Sequence, residues 1–168
     1  MDKSKQFTQE ELAKYFYYDE GLLRNKITRC GKAVKDRVAG SLNLNGYLAV
    51  QLNGVTILNH RVIFLLCKGY LPEEIDHADR NKTNNRIENL RDATRSQNIG
   101  NQELRRSNTS GYKGVSWHKG KKKWCAKICV HGEQVHLGNF WDVKDAAAAY
   151  DRVAKIHFEQ FAVTNDVD

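Results

Sequence analysis

A polar run between two short apolar anchors constrains the fold of this chain more than any other segment. It occupies residues 74–92 and combines acidic, imidazole and carboxamide side chains, with Ile75 near its start and Leu90 near its end. Short apolar segments on either side of an Asn-rich stretch are typical of two strands joined by a loop. We predict these strands around Glu74–His77 and Ile87–Arg91.

The polar run contains the groups that phosphodiester cleavage requires. A neutral imidazole can activate water at near-neutral pH, and carboxylate or carboxamide oxygens hold hard divalent metals such as Mg²⁺. Asp76 and His77 are adjacent, so their side chains point to opposite faces of an extended strand. Both can serve one reaction where the strand ends and twists, or where metal and water lie on different sides of the phosphate.

Two other interpretations compete for the same residues. A calcium loop of the EF-hand type is excluded, because in neither register does the last position hold a carboxylate or the sixth position a glycine. A plain turn is the second alternative, and we expect this role for Asn81, Asn84 and Asn85. For Asp76 and His77, composition alone leaves a turn and a catalytic site both open.

The charge of the chain indicates a polyanionic partner. The net charge is +7 and the pI is near 9.2, which favours nucleic acid over an anionic membrane surface. No apolar run approaches the roughly 20 residues of a membrane-spanning helix, and the polar start lacks the apolar centre of a signal peptide. The four cysteines form no CxxC pair, so we expect no zinc site and a cytosolic protein with reduced thiols; they are Cys30, Cys67, Cys125 and Cys129.

Residues 1–58 are predicted to be β-rich and to begin with a helix. Thr8 can cap that helix, whose apolar face contains Leu12, Tyr15 and Phe16. Short strand-like pieces separated by glycine follow, and an Asn-Gly hairpin turn connects the last two; the pieces lie in residues 21–26, 40–44, 46–52 and 55–58.

Residues 59–100 are predicted to contain two helices around the strands of the polar run. The first helix is buried, begins at His60 and is closed by Gly69. The second helix begins near Ser96 and carries Asn98 in its first turn.

Residues 101–110 are polar and are predicted to be a linker between domains. Residues 111–168 are predicted to form three strands and a helix that begins at Asp142 or Asp145. The strand region is cationic, with six lysines and one acidic residue in 112–136, whereas the helical region contains more acidic than basic residues. This polarity suits a sheet laid against DNA with the helix packed on its back.

The segment from His60 to Asn98 resembles the HNH endonuclease family, and within it the phage and intron-encoded homing endonucleases. The resemblance rests on His60-Arg61, Gly69-Tyr-Leu-Pro, Ile75-Asp-His-Ala-Asp, Asn89-Leu-Arg and Gln97-Asn98, which occur in the order expected for strand, loop, strand and helix. It implies a ββα-metal nuclease core. The preceding β-rich segment resembles the N-terminal region of such phage enzymes, which implies that residues 1–58 contact DNA.

Position by position, the resemblance implies roles for the residues of the motif. His77 matches the general base, and Asp76 matches the first ligand of one divalent metal. Asn98 matches the second ligand, and a neutral oxygen ligand there favours Mg²⁺ or Mn²⁺. Asn89 matches a structural residue that holds the loop between the strands. His60 is expected to satisfy local backbone groups.

Residues 111–168 resemble the plant Apetala/ethylene-response DNA-binding domain. The matching motifs are Tyr112-Lys-Gly-Val, Lys123-Trp-Cys-Ala-Lys-Ile, Leu137-Gly-Asn-Phe and the Ala146–Ala154 stretch. The resemblance implies a three-stranded sheet that enters the major groove, although departures at Ser116, Cys129 and His136 exclude the plant target sequence. The predicted DNA contacts of the whole chain are Arg61, Lys113, Trp117, His118, Lys121, Lys122, Lys123, Trp124, Lys127, Gln134 and His136.

Together these patterns predict an α+β protein in which a β-rich segment leads into an HNH core tethered to a small sheet-and-helix domain. The predicted function is that of a homing-type, site-directed endonuclease that cuts double-stranded DNA, with His77 activating water. We expect a monomer, with a dimer as the alternative, located in the host cytoplasm if a phage encodes it. A DNA-binding regulator with an inactive nuclease fold and an RNA-cleaving enzyme are the competing hypotheses.

Overall fold

The computed structural model describes residues 6–29, 31–104 and 107–167. The chain forms two compact units, Met1–Asp92 and Ala93–Asp168. Helices alternate with small sheets throughout, so the predicted α+β class is confirmed. Cys30 and part of the predicted linker lie outside the described residues. Within the described ranges, no helix is both long and apolar enough to cross a membrane.

Among the described residues, the first unit contains two α-helices and three small sheets. The sheets have two, three and two strands, and the last of them is formed by the strands of the polar run. The helices are α1 (Gln9–Tyr15) and α2 (Asn59–Lys68). The strands are β1 (Phe16–Asp19), β2 (Leu22–Asn25), β3 (Ser41–Leu42), β4 (Leu48–Leu52), β5 (Val55–Leu58), β6 (Glu74–His77) and β7 (Leu90–Ala93), the last of which reaches the boundary with the second unit. β1 pairs with β2, and β4 pairs with both β3 and β5, all antiparallel.

The first helix begins at a capping box, as predicted. The Thr8 hydroxyl accepts a hydrogen bond from the Glu11 backbone N–H at 3.2 Å, and the Glu11 carboxylate accepts one from the Thr8 N–H at 2.8 Å. The helix ends at Tyr15, so the prediction that Phe16 lies on its apolar face is wrong. Phe16 instead begins β1 and pairs with Asn25. Its spacing from Leu12 fits a helix, but aromatic residues also favour strands, so the spacing alone could not decide between the two.

The α2 helix is central to the core of the first unit. Val62, Ile63 and Phe64 are fully buried. They belong to one apolar cluster with residues of α1 and six strands: Leu12, Phe16, Leu23, Val50, Leu52, Ile57, Ile75 and Leu90. Gly69 ends the helix in the left-handed conformation, with φ of 80°, as predicted. The core therefore holds β6 through Ile75 and β7 through Leu90.

The second strand of the polar run begins later than predicted. Ile87–Asn89 forms a 3-10 turn, and β7 begins only at Leu90. Ile87 and Leu90 are three residues apart, a spacing that places side chains on one side of a 3-10 turn, so their pattern does not identify a strand. β6 and β7 are neighbours in a two-stranded sheet.

The second unit packs a long helix against a three-stranded antiparallel sheet. Its elements are α3 (Arg95–Asn101), β8 (Val115–His118), β9 (Lys123–Val130), β10 (Glu133–Phe140), α4 (Val143–Phe158) and a 3-10 turn at Glu159–Phe161. The strand order is β10-β9-β8. Asp142 caps α4 by accepting the Lys144 backbone N–H at 2.7 Å, which confirms the first of the two predicted helix starts. Fully buried alanines, including Ala146 and Ala147, bring α4 close to the sheet.

The division of the chain at Asp92 precedes the linker predicted at residues 101–110. The physical reason is that α3 packs within the second unit. A Cβ at Gly100 would lie 2.6 Å from the ring of Phe158, and the Gly100 carbonyl accepts hydrogen bonds from the Val163 backbone and the Lys113 ammonium. These contacts join α3 to the sheet-and-helix body of the second unit.

A glycine substitution tests the packing of α4 on the sheet. Gly114 has φ of +74°, and its missing Cβ would overlap the Tyr150 ring and lie 2.7 Å from the Lys127 carbonyl oxygen. We expect Gly114→Ala to destabilise the full chain by about 2 kcal/mol or more, measured by chemical denaturation. Gly111→Ala is the matched control, since Gly111 has a similar φ of +78° but open space around it. Equal losses for both variants would contradict the proposed steric role of Tyr150.

Candidate active site

The end of β6 places two polar side chains in the interior of the first unit. Asp76 is 3% exposed and His77 is 6% exposed, next to the buried Ile75. All three consecutive residues are buried because the strand ends at His77 and the chain turns into the loop, where Arg80 donates its backbone N–H to the His77 carbonyl. The side chains of adjacent strand residues normally point to opposite faces of the strand. Because β6 ends at His77, the side chains of Asp76 and His77 can both be buried in the first unit.

Asp76 is held by an arginine of the neighbouring strand. The Arg91 Nε and Nη2 atoms both donate to Asp76 Oδ2, at 3.0 and 2.7 Å. A buried carboxylate is costly unless it is paired, and Arg91 supplies that partner. Both Arg91 nitrogens bind the same carboxylate oxygen, which fixes the orientation of the Asp76 side chain. Arg91 could not be identified from the sequence, because no residue spacing predicts which cation faces an acid across a sheet.

The imidazole of His77 is oriented by a buried asparagine. Its Nε2 atom lies 3.1 Å from Oδ1 of Asn85, which is 2% exposed. An amide oxygen only accepts hydrogen bonds, so Nε2 carries the proton and the ring lone pair lies on Nδ1. Burial lowers the pKa of His77 from its ordinary value, against the opposing effects of the Asn85 hydrogen bond and the Asp76 charge. The imidazole is therefore neutral at neutral pH and basic at Nδ1.

Two further rings pack around His77. The His60 ring lies edge-on to it with centroids 5.0 Å apart, and the Tyr47 ring lies 5.3 Å from His60 and 6.0 Å from His77. Burial raises the pKa of Tyr47, and the charges of Glu74 and Asp76 raise it further. Its phenol thus stays protonated. Tyr47 could not be identified from the sequence, because only the packing of its hairpin against His60 and His77 brings it to the candidate base.

Asn89 ties together the loop between β6 and β7. Its Oδ1 accepts the Asp79 backbone N–H at 3.0 Å, and its Nδ2 donates to the Asp79 carboxylate at 2.9 Å and to the Asn84 carbonyl at 2.8 Å. Its backbone carbonyl accepts the Ala78 N–H at 2.9 Å. Asn89 thus makes four hydrogen bonds across the loop, which is the geometry required of a residue that holds the loop closed.

The other loop asparagines divide into two kinds. Asn81 accepts hydrogen bonds from the Thr83 backbone and hydroxyl, and Asn84 donates to Asp79 at 2.6 Å, so both stabilise local turns. Asn85, which we also expected to be a turn residue, differs because its side chain is buried against His77. In a loop with several asparagines, composition cannot indicate which one turns inward.

Asn98 lies on α3, within the second unit. That helix begins at a capping box in which Thr94 and Gln97 exchange hydrogen bonds. The Asn98 backbone N–H donates to the Thr94 carbonyl at 3.0 Å, and its side chain is half-buried. Asn98 thus occupies the beginning of a helix, as predicted.

A divalent metal is implied by the sequence resemblance, and the donor chemistry of the predicted ligands fits one. Asp76 offers a buried carboxylate with one oxygen bound by Arg91, and Asn98 offers a carboxamide. Both are hard oxygen donors of the kind that Mg²⁺ and Mn²⁺ accept. Among the residues that the structure describes, no three His, Cys, Asp or Glu side chains form a metal-binding group.

Five of the predicted DNA contacts lie on one face of the sheet in the second unit. The cross-strand pairs are His118 with Lys123, Lys127 with His136, and Cys129 with Gln134. We call the face formed by His118, Lys123, Lys127, Gln134 and His136 the cationic face. The exposed Lys121 and Lys122 lie in the turn between β8 and β9, at the end of the cationic face.

The remaining predicted DNA contacts lie elsewhere. Trp117 and Trp124 pair across the strands with rings 5.1 Å apart, and alternation places them on the face that α4 covers. The Lys113 ammonium donates to the carbonyls of Gly100 and Gln102 at 2.5 and 2.6 Å, which gives it a structural contact. Arg61 is buried in the first unit, with its guanidinium near the Pro72 carbonyl.

One aromatic residue near the cationic face was not identified from the sequence. Trp141 follows β10 and is 77% exposed, and the Lys123 ammonium lies 4.2 Å from its ring centroid. An exposed ring beside a cation can stack on a nucleotide base. The sequence signal for Trp141 was its position beside the Leu137-Gly-Asn-Phe motif.

Comparisons with known proteins agree with this geometry. Residues 58–99 match the family model described as HNH endonuclease. Protein 3.8 of Escherichia phage T7 is 37% identical over 95 residues, which cover 56% of this chain and 75% of that protein. An uncharacterized HNH endonuclease of Acanthamoeba polyphaga mimivirus is 35% identical over 112 residues, which cover 65% of this chain and 57% of that protein. No solved structure matches the chain.

The matched segment begins at the end of β5 and includes α2, β6, the Asn-rich loop, β7 and most of α3. It thus contains Asp76, His77, Asn85 and Arg91, whose contacts define the candidate site. Residues 58–99 are therefore assigned to an HNH endonuclease domain by their match to that family model.

Proposed function

We propose that this protein is a metal-dependent DNA endonuclease in which His77 is the general base. The observation that carries the proposal is the fixed, neutral imidazole of His77, whose Nε2 is bound by buried Asn85. Its neighbour Asp76 is a buried carboxylate oriented by Arg91. A base and a potential metal ligand, each held by its own partner, match the requirements of phosphodiester hydrolysis.

In the proposed reaction, Nδ1 of His77 removes a proton from water, which attacks the scissile phosphate. Asn85 keeps the proton on Nε2, and so keeps the lone pair on the reacting side of the ring. Asp76 would hold one Mg²⁺ or Mn²⁺ ion, with Asn98 as the second ligand on the basis of its sequence resemblance. A bound metal would stabilise negative charge on the phosphate and on the departing oxygen.

The cationic face is the proposed contact that holds DNA in the second unit. His118, Lys127 and His136 are exposed and Lys123 is half-buried on this face, which suits binding to phosphates and base edges. We further propose that this unit is a DNA-binding domain of the Apetala/ethylene-response type and that the enzyme acts at selected sites, as a homing endonuclease does. A DNA-binding regulator without nuclease activity would share the cationic face but would not need an oriented base.

Removal of the base provides the first test. We expect His77→Ala to lower nicking of supercoiled plasmid in Mg²⁺ by about 10²–10⁴-fold, because general-base catalysis contributes that much. DNA affinity should stay unchanged. His157→Ala is the matched control, since His157 is exposed on α4. Wild-type cleavage that persists in EDTA would contradict metal dependence, and cleavage by His77→Ala at the wild-type rate would exclude His77 as the base.

Removal of the partner of His77 provides the second test. Asn85→Ala should reduce the cleavage rate by about 10–100-fold, the usual effect of residues that orient a reacting group, with little change in the substrate concentration at half-maximal rate. Asn81→Ala is the control, because Asn81 is exposed and its side chain accepts the Thr83 hydrogen bonds of a local turn. Thermal denaturation of both variants separates lost activity from lost folding. A full rate in a folded Asn85→Ala variant would refute the orienting role.

The salt dependence of DNA binding tests the cationic face. Each phosphate contact contributes about one counterion to the slope of log affinity against log salt concentration. Lys127→Ala should therefore reduce that slope by about one, measured by fluorescence anisotropy with a labelled duplex. Lys155→Ala, on the exposed side of α4, should leave the slope unchanged. Identical slopes for wild type and Lys127→Ala would remove Lys127 from the DNA contact.

A further inference from the structure

The turn between β3 and β4 presents a leucine to solvent. Leu44 is fully exposed and is the most exposed large apolar side chain in the described part of the chain. Leu42, two residues earlier in the same hairpin, is 63% exposed. Single exposed leucines are common on protein surfaces, so the conformation and the surroundings of Leu44 decide whether it has a role.

Hydrogen bonds fix the backbone on both sides of Leu44. The Asn43 side-chain oxygen accepts the backbone N–H groups of Asn45 and Tyr47, at 2.9 and 3.0 Å. The Asn43 carbonyl accepts the Gly46 N–H at 3.0 Å, and the Asn43 N–H donates to the Tyr47 carbonyl at 2.8 Å. The outward position of Leu44 is thus imposed by a closed turn, with Gly46 in the left-handed region at φ of +81°.

The same turn is attached to the loop of the candidate active site. The Lys82 ammonium donates to the Asn45 carbonyl at 3.1 Å and lies 4.8 Å from the centroid of the Tyr47 ring. The Tyr47 ring in turn lies 6.0 Å from that of His77. Leu44 is three residues from Tyr47, a chain distance of at most about 11 Å. The turn that carries Leu44 is therefore a neighbour of the candidate base.

The charge of the first unit favours DNA over other partners. Residues 24–37 contain six basic residues and one acidic residue, and Lys26, Lys32, Lys35 and Arg37 are exposed. Arg80 and Lys82 are exposed in the loop that follows His77. An exposed apolar side chain on a basic protein surface is the combination by which proteins bind phosphates and insert a wedge between base pairs.

We propose that Leu44 is a wedge that inserts between neighbouring base pairs of the DNA bound at His77. This inference rests on the proposed nuclease function and adds a device for deforming the substrate. Insertion buries the leucine side chain against base faces and unstacks one step, which bends the duplex away from the wedge. The rigid turn prevents Leu44 from folding back onto the protein, so its burial is gained only in the complex.

DNA unwinding measures this insertion without knowledge of the target sequence. Relaxed closed circular plasmid is incubated with saturating full-length protein in EDTA, treated with a topoisomerase I that needs no metal, and its linking number is determined after deproteinisation. Wild type should shift the linking number, since a wedge locally untwists the duplex. Leu44→Ala should lose most of the shift and bind a short duplex several-fold more weakly, whereas Leu44→Phe should retain the shift.

Leu22→Ala is the matched control, because Leu22 is an exposed leucine of the first unit outside this hairpin. It should unwind DNA as wild type does. An undiminished shift with Leu44→Ala, or no shift with wild type that binds DNA, would overturn the wedge and leave the nuclease proposal standing. Absence of DNA binding by wild type would overturn both. A change in oligomeric state with Leu44→Ala, seen by sedimentation without a change in unwinding, would identify a protein contact instead and overturn the wedge.

Discussion

The ion pair between Asp76 and Arg91 is the interaction on which the candidate site depends. It places a carboxylate inside the first unit, where an unpaired charge would oppose folding. Ile75 and Leu90, each adjacent in sequence to one partner, pack into the core on α2. The strands β6 and β7 are therefore attached to the core by Ile75 and Leu90, and to each other by the ion pair at the next position of each strand. This double attachment makes the end of β6 a rigid support for His77.

The Asn-rich loop carries that rigidity from the strands to the imidazole. Asn89 closes the loop around Asp79, while Asn85 turns inward and fixes the tautomer of His77. Lys82 extends outward and binds the β3–β4 turn. The asparagines of the loop thus have separate roles, because their backbone positions differ. Most of them stabilise turns near the solvent, whereas Asn85 faces the core. The loop connects the base, the hairpin and the strands as one structural unit.

Elements with a local chemical cause could be predicted from the sequence. The Thr8 capping box, the Gly69 helix end and the Asp142 cap each depend on contacts within a few residues, and the structure contains all three. The start of β1 at Phe16 and the 3-10 turn at Ile87 were not predicted, because their apolar spacings fit more than one element. Asp76 and His77 could be identified as a pair from their chemistry and motif. Their partners Arg91 and Asn85, 15 and 8 residues away, could not.

The sequence by itself determined that an acid and an imidazole stand together at the end of a short strand in a basic, nuclease-like chain. Local propensity and side-chain chemistry suffice for the pair and the strand, since neither depends on distant contacts, and the resemblance of the motif to the HNH family supplied the nuclease interpretation. Tertiary structure alone decided which nitrogen of His77 is basic, which arginine orients Asp76, and that Leu44 stands exposed on a turn beside the site. Those properties depend on the burial and hydrogen-bond partners that the folded loop and hairpin provide, and burial is a property of packing rather than of any residue.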